Sequence, residues 1–298
     1  MKLLSQLTGT GAAIVTPFNK YQEVDYTALG NLIDFIINGG VEYLVTLGTT
    51  GETPVLTTAE KTEIIQFTYA HVSNRVPVVV GIGGNDTLAV VNELRWLPLD
   101  HATAVLSASP YYNKPNQNGL YEHYKTLSEV SKLPIILYNV PGRTSVNLLP
   151  DTVSKIAFDC RNIIGIKEAS GNVEQVMSVI QQTPKEFMVI SGDDALTLPL
   201  IASGADGVIS VVGNAFPKEF SEMVHLSLEG KIEEARAIHY RLLDIIHLLF
   251  KEGNPTGVKE VLAQLDVCEN YLRLPLVEAS DNLSDQLRRE MIDQGFLS

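Results

Sequence analysis

Lys167 is the residue whose type and position most directly indicate chemistry. It ends the apolar run Ile163 to Ile166, and side-chain alternation along a strand predicts that it points inward, beside a glycine that leaves room for a ligand. Burial disfavours the ammonium form and favours the free amine, which forms an imine with a carbonyl carbon. The alternative is an ion pair with Glu168 or another carboxylate at a strand end, and Lys167 alone does not decide between the two.

Three hydroxyl groups are predicted to lie near this lysine. Tyr138 ends one neighbouring apolar run, and Thr49 and Tyr112 follow two others. A phenol acts as general acid and base near neutral pH only when another group shares or restores its proton, so Thr49 and Tyr112 are candidates for a relay with Tyr138. The alternative for each tyrosine is an amphipathic residue at the edge of the core.

Two segments indicate binding of a carboxylate. The turn Gly48-Thr49-Thr50-Gly51 can direct backbone N–H groups and a threonine hydroxyl at an anion, with a plain tight turn as a strong alternative. Arg143 can grip a second carboxylate through two N–H donors, and its alternative is a solvated loop arginine. The segment Gly81 to Asn85 lacks the P-loop ending and the GxGxxG spacing, so no nucleotide is predicted.

Composition excludes several classes of protein. The 298-residue chain has a formal net charge of -13 and no cluster of lysine and arginine, so nucleic-acid binding is not predicted. No stretch is apolar for the ~18 residues that a membrane helix requires, and the first residues lack the apolar centre of a signal peptide. Two cysteines, Cys160 and Cys268, are too few for a disulfide framework, so we expect a cytoplasmic protein.

Metal-binding patterns are missing from the sequence. The six histidines are scattered, and no group of histidines, cysteines or carboxylates has the spacing of a zinc site. The adjacent pair Asp193 and Asp194 points in two directions and is more typical of a helix cap than of a metal site. No metal is therefore predicted.

Eight short runs rich in valine, isoleucine and leucine recur at fairly even spacing. Runs of this kind are typical of parallel strands buried on both faces. The predicted strands are Ala12 to Val15, Tyr43 to Leu47, Val76 to Val80, Ala102 to Leu106, Pro134 to Tyr138, Ile163 to Lys167, Phe187 to Ser191 and Gly207 to Val211. Polar segments follow these runs, as expected where an active site lies at the carboxyl ends of barrel strands.

Stretches of helical period separate the runs. Asp25 to Asn38 has its apolar residues on one face, and Thr57 with Glu60 forms a capping box. Eight strand and helix units favour an α/β fold of the (β/α)8 TIM barrel type, with an open sheet as the alternative. We predict a catalytic barrel over residues 1–229 and a small C-terminal helical domain over residues 230–298.

The polar segments together resemble those of the dihydrodipicolinate synthase family. They occur in the family's order, span most of the predicted barrel and continue beyond it, and together they are highly specific. The matching segments are GTTGE at 48–52, SPYYNKP at 109–115, YNVPGRT at 138–144, GIKEAS at 165–170, SGDD at 191–194, GVISV at 207–211, NPTGVKEVL at 254–262 and LRLPL at 272–276.

This resemblance implies a Schiff-base lyase of lysine and diaminopimelate biosynthesis. Its substrates would be pyruvate and L-aspartate 4-semialdehyde, and no external cofactor would be needed. The resemblance assigns the imine to Lys167, the proton shuttle to Tyr138, and the relay to Thr49 and Tyr112.

The resemblance also implies residues for substrate binding and a partner. It assigns the pyruvate carboxylate to Thr50 and the semialdehyde carboxylate to Arg143, with Ile209 and Gly192 in the substrate pocket. In the family the residue matching Tyr112 crosses a dimer interface into the neighbouring site. The expected assembly is therefore a homotetramer, built as a dimer of dimers.

The sequence departs from the family at a regulatory site. Members inhibited by lysine carry a histidine and a glutamate where Thr58 and Ala89 stand here, whereas Asn85 and Tyr111 are retained as a possible remnant effector site. Weak or absent lysine inhibition is therefore predicted.

Two classes of alternative function remain open. N-acetylneuraminate lyase and 2-keto-3-deoxy sugar acid aldolases share the barrel and the imine lysine, so the fold and Lys167 do not exclude them. Arg143 and Tyr112 favour the synthase. A non-catalytic small-molecule binding protein is the second alternative, but it has no need of a buried nucleophile beside hydroxyl groups that could relay a proton.

Overall fold

Parallel strands form a closed barrel in the computed structural model, which describes residues 6–297. Each strand pairs with its neighbours in sequence, and the last strand pairs with the first. The strands are β1 Gly9–Ala13, β2 Tyr43–Thr46, β3 Val78–Gly81, β4 Ala104–Ala108, β5 Ile135–Asn139, β6 Ile163–Glu168, β7 Met188–Ser191 and β8 Gly207–Ser210. The predicted TIM barrel is confirmed, and the open-sheet alternative is wrong because β8 closes on β1.

Helices follow the strands and cover the outside of the barrel. The predicted caps of the first two are present: the Asp25 carboxylate accepts from the Ala28 N–H, and Thr57 and Glu60 form a capping box. The helices are α1 Tyr26–Asn38, α2 Thr58–Val72, α3 Thr87–Trp96, α4 Gln117–Val130, α5 Pro141–Thr144, α6 Pro150–Asp159, α7 Val173–Gln182, α8 Thr197–Ala202, α9 Pro217–Leu228, α10 Ile232–Lys251, α11 Thr256–Gln264 and α12 Asp281–Asp293.

The first strand lies earlier in the chain than predicted. It begins at Gly9 rather than Ala12, because Gly9, Thr10 and Gly11 lack the apolar side chains by which a strand is recognised in sequence. A side chain at position 11 has no space: a Cβ on Gly11 would lie 2.2 Å from the ring of Tyr43. The glycines of β1 therefore make room for a fully buried tyrosine inside the barrel.

The C-terminal helices pack against the barrel and reach its catalytic end. As the helical period predicts, Leu242, Ile245 and Leu249 of α10 are buried. Helix α11 is buried along most of its length and carries Lys259 into the protein, where its Nζ lies 2.6 Å from Glu52 Oε1. The division of the chain at residue 229 stays a prediction.

Glu52 joins the turn after β2 to the C-terminal region. Its backbone is left-handed, with φ of 54°, a conformation that costs residues other than glycine about 1–3 kcal/mol. Its Oε2 accepts from the Arg273 backbone N–H at 3.1 Å, and Lys259 Nζ also donates to the Tyr271 carbonyl at 2.8 Å. Burial lowers the pKa of Lys259, and the Glu52 carboxylate opposes this effect.

None of the helices in residues 6–297 is long and apolar enough to cross a membrane. Within the same range, His, Cys, Asp and Glu side chains form no group of three or more that could hold a metal ion.

Replacement of Lys259 by methionine would test the buried pair. We expect the free energy of unfolding to fall by ~3–5 kcal/mol, because the substitution leaves Glu52 charged and buried without its partner. Urea unfolding at a fixed protein concentration measures the change. Asp34→Asn, which breaks an exposed pair with Arg75 at 2.7 Å, is the control and should cost less than ~1 kcal/mol. Equal losses in the two variants would contradict the prediction.

Candidate active site

Lys167 lies inside the barrel, as its position in the sequence predicts. It pairs in register with Tyr138 of β5 and with Ile190 of β7, and its side chain is 5% exposed. Its Nζ lies 4.4 Å from the centre of the Tyr138 ring. A buried amine and a phenol are therefore adjacent at the carboxyl ends of two neighbouring strands.

Glu168 points to the other side of β6. Its carboxylate accepts from Asn139 Nδ2 at 2.9 Å, from Gln175 Nε2 at 3.1 Å and from the Ser170 N–H at 2.7 Å. Successive side chains of a strand face opposite sides, so Glu168 meets the surrounding helices while Lys167 meets the interior. An ion pair between Lys167 and Glu168 is therefore wrong for this fold.

Asp194 is a buried carboxylate whose pKa is affected by the charge of Lys167, and the sequence pattern does not predict this interaction. Asp193 caps the following turn as predicted, whereas Asp194 Oδ2 accepts from the Val211 and Val212 N–H groups at 3.0 and 3.1 Å. Burial raises the pKa of Asp194 to about 6, while its hydrogen bonds and the charge of Lys167 oppose that effect. Its Oδ1 is buried and has no partner in the described part of the chain.

Gly192 provides the space that the lysine side chain occupies. A Cβ at this position would lie 2.7 Å from Ala169 Cβ and 3.0 Å from Lys167 Cε. Both distances are shorter than ordinary van der Waals contact, so any larger residue would displace the lysine or the backbone. In this structure Gly192 therefore contacts the aliphatic stem of Lys167, and its predicted contact with substrate stays a prediction.

A cavity of about 570 Å³ opens beside the tyrosine. Three predicted residues from two strand ends line it: Thr49 after β2, Tyr138 near the end of β5, and Arg143 in α5, which follows β5. Asn85 and Tyr111, the possible remnant of an effector site, line the same cavity. The fold thus brings together residues that are far apart in the sequence.

The predicted hydroxyl relay is not closed within one chain. Among residues 6–297, no hydrogen bond joins the Tyr138 hydroxyl to Thr49 or Tyr112. Tyr112 has a left-handed backbone, with φ of 72°, and its side chain is 87% exposed. Tyr112 is thus directed away from the interior of its own barrel.

The two predicted carboxylate-binding residues share one neighbour, Asn254. The Thr50 hydroxyl is buried and accepts a hydrogen bond from Asn254 Nδ2 at 3.0 Å. Arg143 is exposed, and its Nη2 donates to the Asn254 carbonyl at 3.3 Å. Ile209 is buried in β8, in the same inner apolar cluster as Tyr138. Asn254 belongs to the matching segment NPTGVKEVL, but the sequence assigned no role to this residue.

An ion pair lies in the cavity near the possible effector residues. Lys61 Nζ is 2.8 Å from Glu93 Oε1, and both residues line the cavity together with Asn85 and Ala89. Thr58 is exposed at the start of α2. Asp86 also lines this side of the cavity, and its carboxylate caps α3 by accepting from the Leu88 and Ala89 N–H groups.

Gly192→Ala would test the packing around Lys167. We expect trapping of pyruvate on Lys167 by borohydride to slow by about 10- to 100-fold, because the added Cβ displaces the amine. Gly142→Ala is the control, since a Cβ there would meet no atom within 4 Å. Circular dichroism would verify the fold of both variants, and a wild-type trapping rate in folded Gly192→Ala would contradict the prediction.

Known proteins similar to this chain belong to the family that the motifs indicate. A curated 4-hydroxy-tetrahydrodipicolinate synthase of Flavobacterium psychrophilum is 52% identical over 280 residues, which are 94% of this chain and 95% of the relative. The structure of dihydrodipicolinate synthase from Thermotoga maritima superposes with a TM-score of 0.95 at 41% identity, over 98% of this chain and 100% of that one.

A second solved structure, described as a monomeric dihydrodipicolinate synthase variant, superposes with a TM-score of 0.96 at 40% identity, over 99% of both chains. The family model described as the dihydrodipicolinate synthetase family matches residues 6–294. The resemblance carried by the motifs is thereby confirmed. This chain belongs to the dihydrodipicolinate synthetase family.

Proposed function

We propose that this chain is a Schiff-base-forming lyase that condenses pyruvate with L-aspartate 4-semialdehyde in lysine and diaminopimelate biosynthesis. The predicted activity of a 4-hydroxy-tetrahydrodipicolinate synthase is confirmed by curated relatives about 50% identical over nearly the whole chain that carry this name. The observation that carries the proposal is the buried Lys167 amine, 4.4 Å from the Tyr138 ring in a closed barrel.

The proposed reaction begins at Lys167. Its free amine attacks the carbonyl carbon of pyruvate, and loss of water leaves an imine that draws electrons from the adjacent methyl group. Loss of a methyl proton gives an enamine, whose carbon attacks the aldehyde. Tyr138 would move these protons, and Thr49, which lines the same cavity, would take part in the relay. Attack by the amine of the second substrate on the imine carbon then releases the lysine, and no external cofactor takes part.

Substrate binding is proposed for Arg143 in the cavity lining and for three residues that lie outside that lining. Thr50 would donate its hydroxyl proton to the pyruvate carboxylate, and Arg143 would hold the semialdehyde carboxylate at the cavity wall. Ile209 and Gly192 would line the pyruvate pocket. The exposed Arg143 matches a second substrate that arrives from solvent after the imine has formed.

The alternative enzyme functions differ in the aldehyde that serves as second substrate. An N-acetylneuraminate lyase or a 2-keto-3-deoxy sugar acid aldolase would use the same imine with a sugar-derived aldehyde. Arg143, directed at the cavity, favours an aldehyde that carries a carboxylate. A non-catalytic binding protein would not need a buried amine beside a phenol.

We further propose that Tyr112 completes the relay from a neighbouring copy in a homotetramer built as a dimer of dimers. Its exposed side chain supports this role, because an exposed aromatic residue is typical of an interface. A cytoplasmic location is proposed from the unpaired, buried Cys160 and Cys268.

Trapping with borohydride would test the imine. Addition of pyruvate and borohydride should add the mass of a reduced adduct at Lys167, located by peptide mass spectrometry. Lys167→Arg should remove the adduct, and the control Lys61→Arg, in the lining of the cavity beside Tyr138, should keep it. Absence of the adduct from the wild-type chain would overturn the mechanism. Aspartate semialdehyde or N-acetylmannosamine as second substrate then separates synthase from lyase.

Lysine should inhibit this enzyme weakly or not at all. Ala89 supplies no carboxylate for a lysine ammonium, and Glu93 is already paired with Lys61. The initial rate with and without submillimolar L-lysine measures the effect. A clear fall in rate would defeat the prediction.

A further inference from the structure

Asn254 connects the C-terminal helices to the turn after β2. It lies two residues before α11 and is 6% exposed. Its Nδ2 donates to Thr50 Oγ1 at 3.0 Å, across 204 residues of sequence. The proposed pyruvate-binding hydroxyl is therefore in contact with a residue from outside the barrel strands and their loops.

The direction of this hydrogen bond determines what the hydroxyl can do. An amide nitrogen donates and does not accept, so Thr50 Oγ1 is the acceptor in this contact. A hydroxyl has one proton, and this bond leaves that proton free for another acceptor. An ionised carboxylate only accepts hydrogen bonds, so the arrangement suits a carboxylate ligand.

The same asparagine holds Arg143 through a different atom. Arg143 Nη2 donates to the Asn254 backbone carbonyl at 3.3 Å, whereas Thr50 is held by the side chain. A side-chain substitution at position 254 therefore removes one contact and keeps the other.

We propose that the Asn254 side chain is a positioning residue for pyruvate, which orients the Thr50 hydroxyl so that its proton points at the pyruvate carboxylate. This inference rests on the proposed function. It predicts that the side chain affects binding of the first substrate alone. The backbone carbonyl of Asn254 serves the second substrate through Arg143.

Asn254→Ala would test this separation of roles by steady-state kinetics with both substrates varied. The KM for pyruvate should rise by about tenfold, because the hydroxyl loses the contact that orients its proton. The KM for aspartate semialdehyde and kcat should stay near their wild-type values. Asn254→Asp has nearly the same volume and serves if the alanine variant does not fold; its carboxylate accepts the Thr50 proton, so the KM for pyruvate should also rise.

A double-mutant cycle with Thr50→Val provides the sharper comparison. In the Thr50→Val background, Asn254→Ala should raise the KM for pyruvate no further, because the hydroxyl that it orients is already gone. Thr256→Val is the matched control: it lies two positions along the same segment and bonds the Val277 carbonyl at 3.2 Å. It should leave both KM values unchanged.

The outcomes distinguish this inference from the proposed function. If wild-type enzyme forms no adduct with pyruvate and borohydride, the proposed function fails. If the adduct forms but the KM for pyruvate is unchanged in folded Asn254→Ala, the inference alone is overturned. Equal increases in both KM values, or additive effects with Thr50→Val, would also overturn it, because they indicate a general loss of structure.

Discussion

The buried ion pair between Lys259 and Glu52 is the interaction on which the geometry of the site depends. Both side chains are removed from water, and their atoms approach to 2.6 Å. Glu52 follows directly after the Gly48–Gly51 turn, and its left-handed backbone is unfavourable without such a constraint. Separating a buried ion pair is strongly unfavourable, because each charge would be left without a partner and without water. The pair therefore fixes the end of the turn that presents Thr49 and Thr50.

The C-terminal helices thus belong to the site as well as to the outside of the barrel. Lys259 lies on α11 and contacts Glu52, and Asn254 lies two residues before the same helix and contacts Thr50. The strands place Lys167 at the carboxyl end of the barrel, where active sites of this fold are built. Alignment of the neighbouring hydroxyl groups depends on a helix about 200 residues further along the chain than the turn.

The two faces of β6 separate the charges of the site. Lys167 faces the interior, whereas Glu168 accepts hydrogen bonds from the Asn139 and Gln175 amide groups on the outside. The carboxylate nearest in sequence therefore does not form an ion pair with Lys167. Asp194 is a buried carboxylate whose pKa burial raises and the charge of Lys167 lowers, and its two backbone hydrogen bonds fix it to the end of β8. Within residues 6–297, neither carboxylate forms an ion pair with Lys167.

The sequence by itself determined the barrel and its lysine, because strand periodicity and polar strand ends are local patterns. It could not determine the partners of Asn254, Lys259 and Asp194, which lie 204, 207 and 17 residues away, since a contact of this kind exists only after the chain has folded. The start of β1 at Gly9 was not predicted for a similar reason. The strand has glycine at position 11 because the Tyr43 ring packs over it, and this contact exists only in the folded chain. Local patterns thus identified the reactive lysine, and tertiary packing determined which residues hold the neighbouring side chains in position.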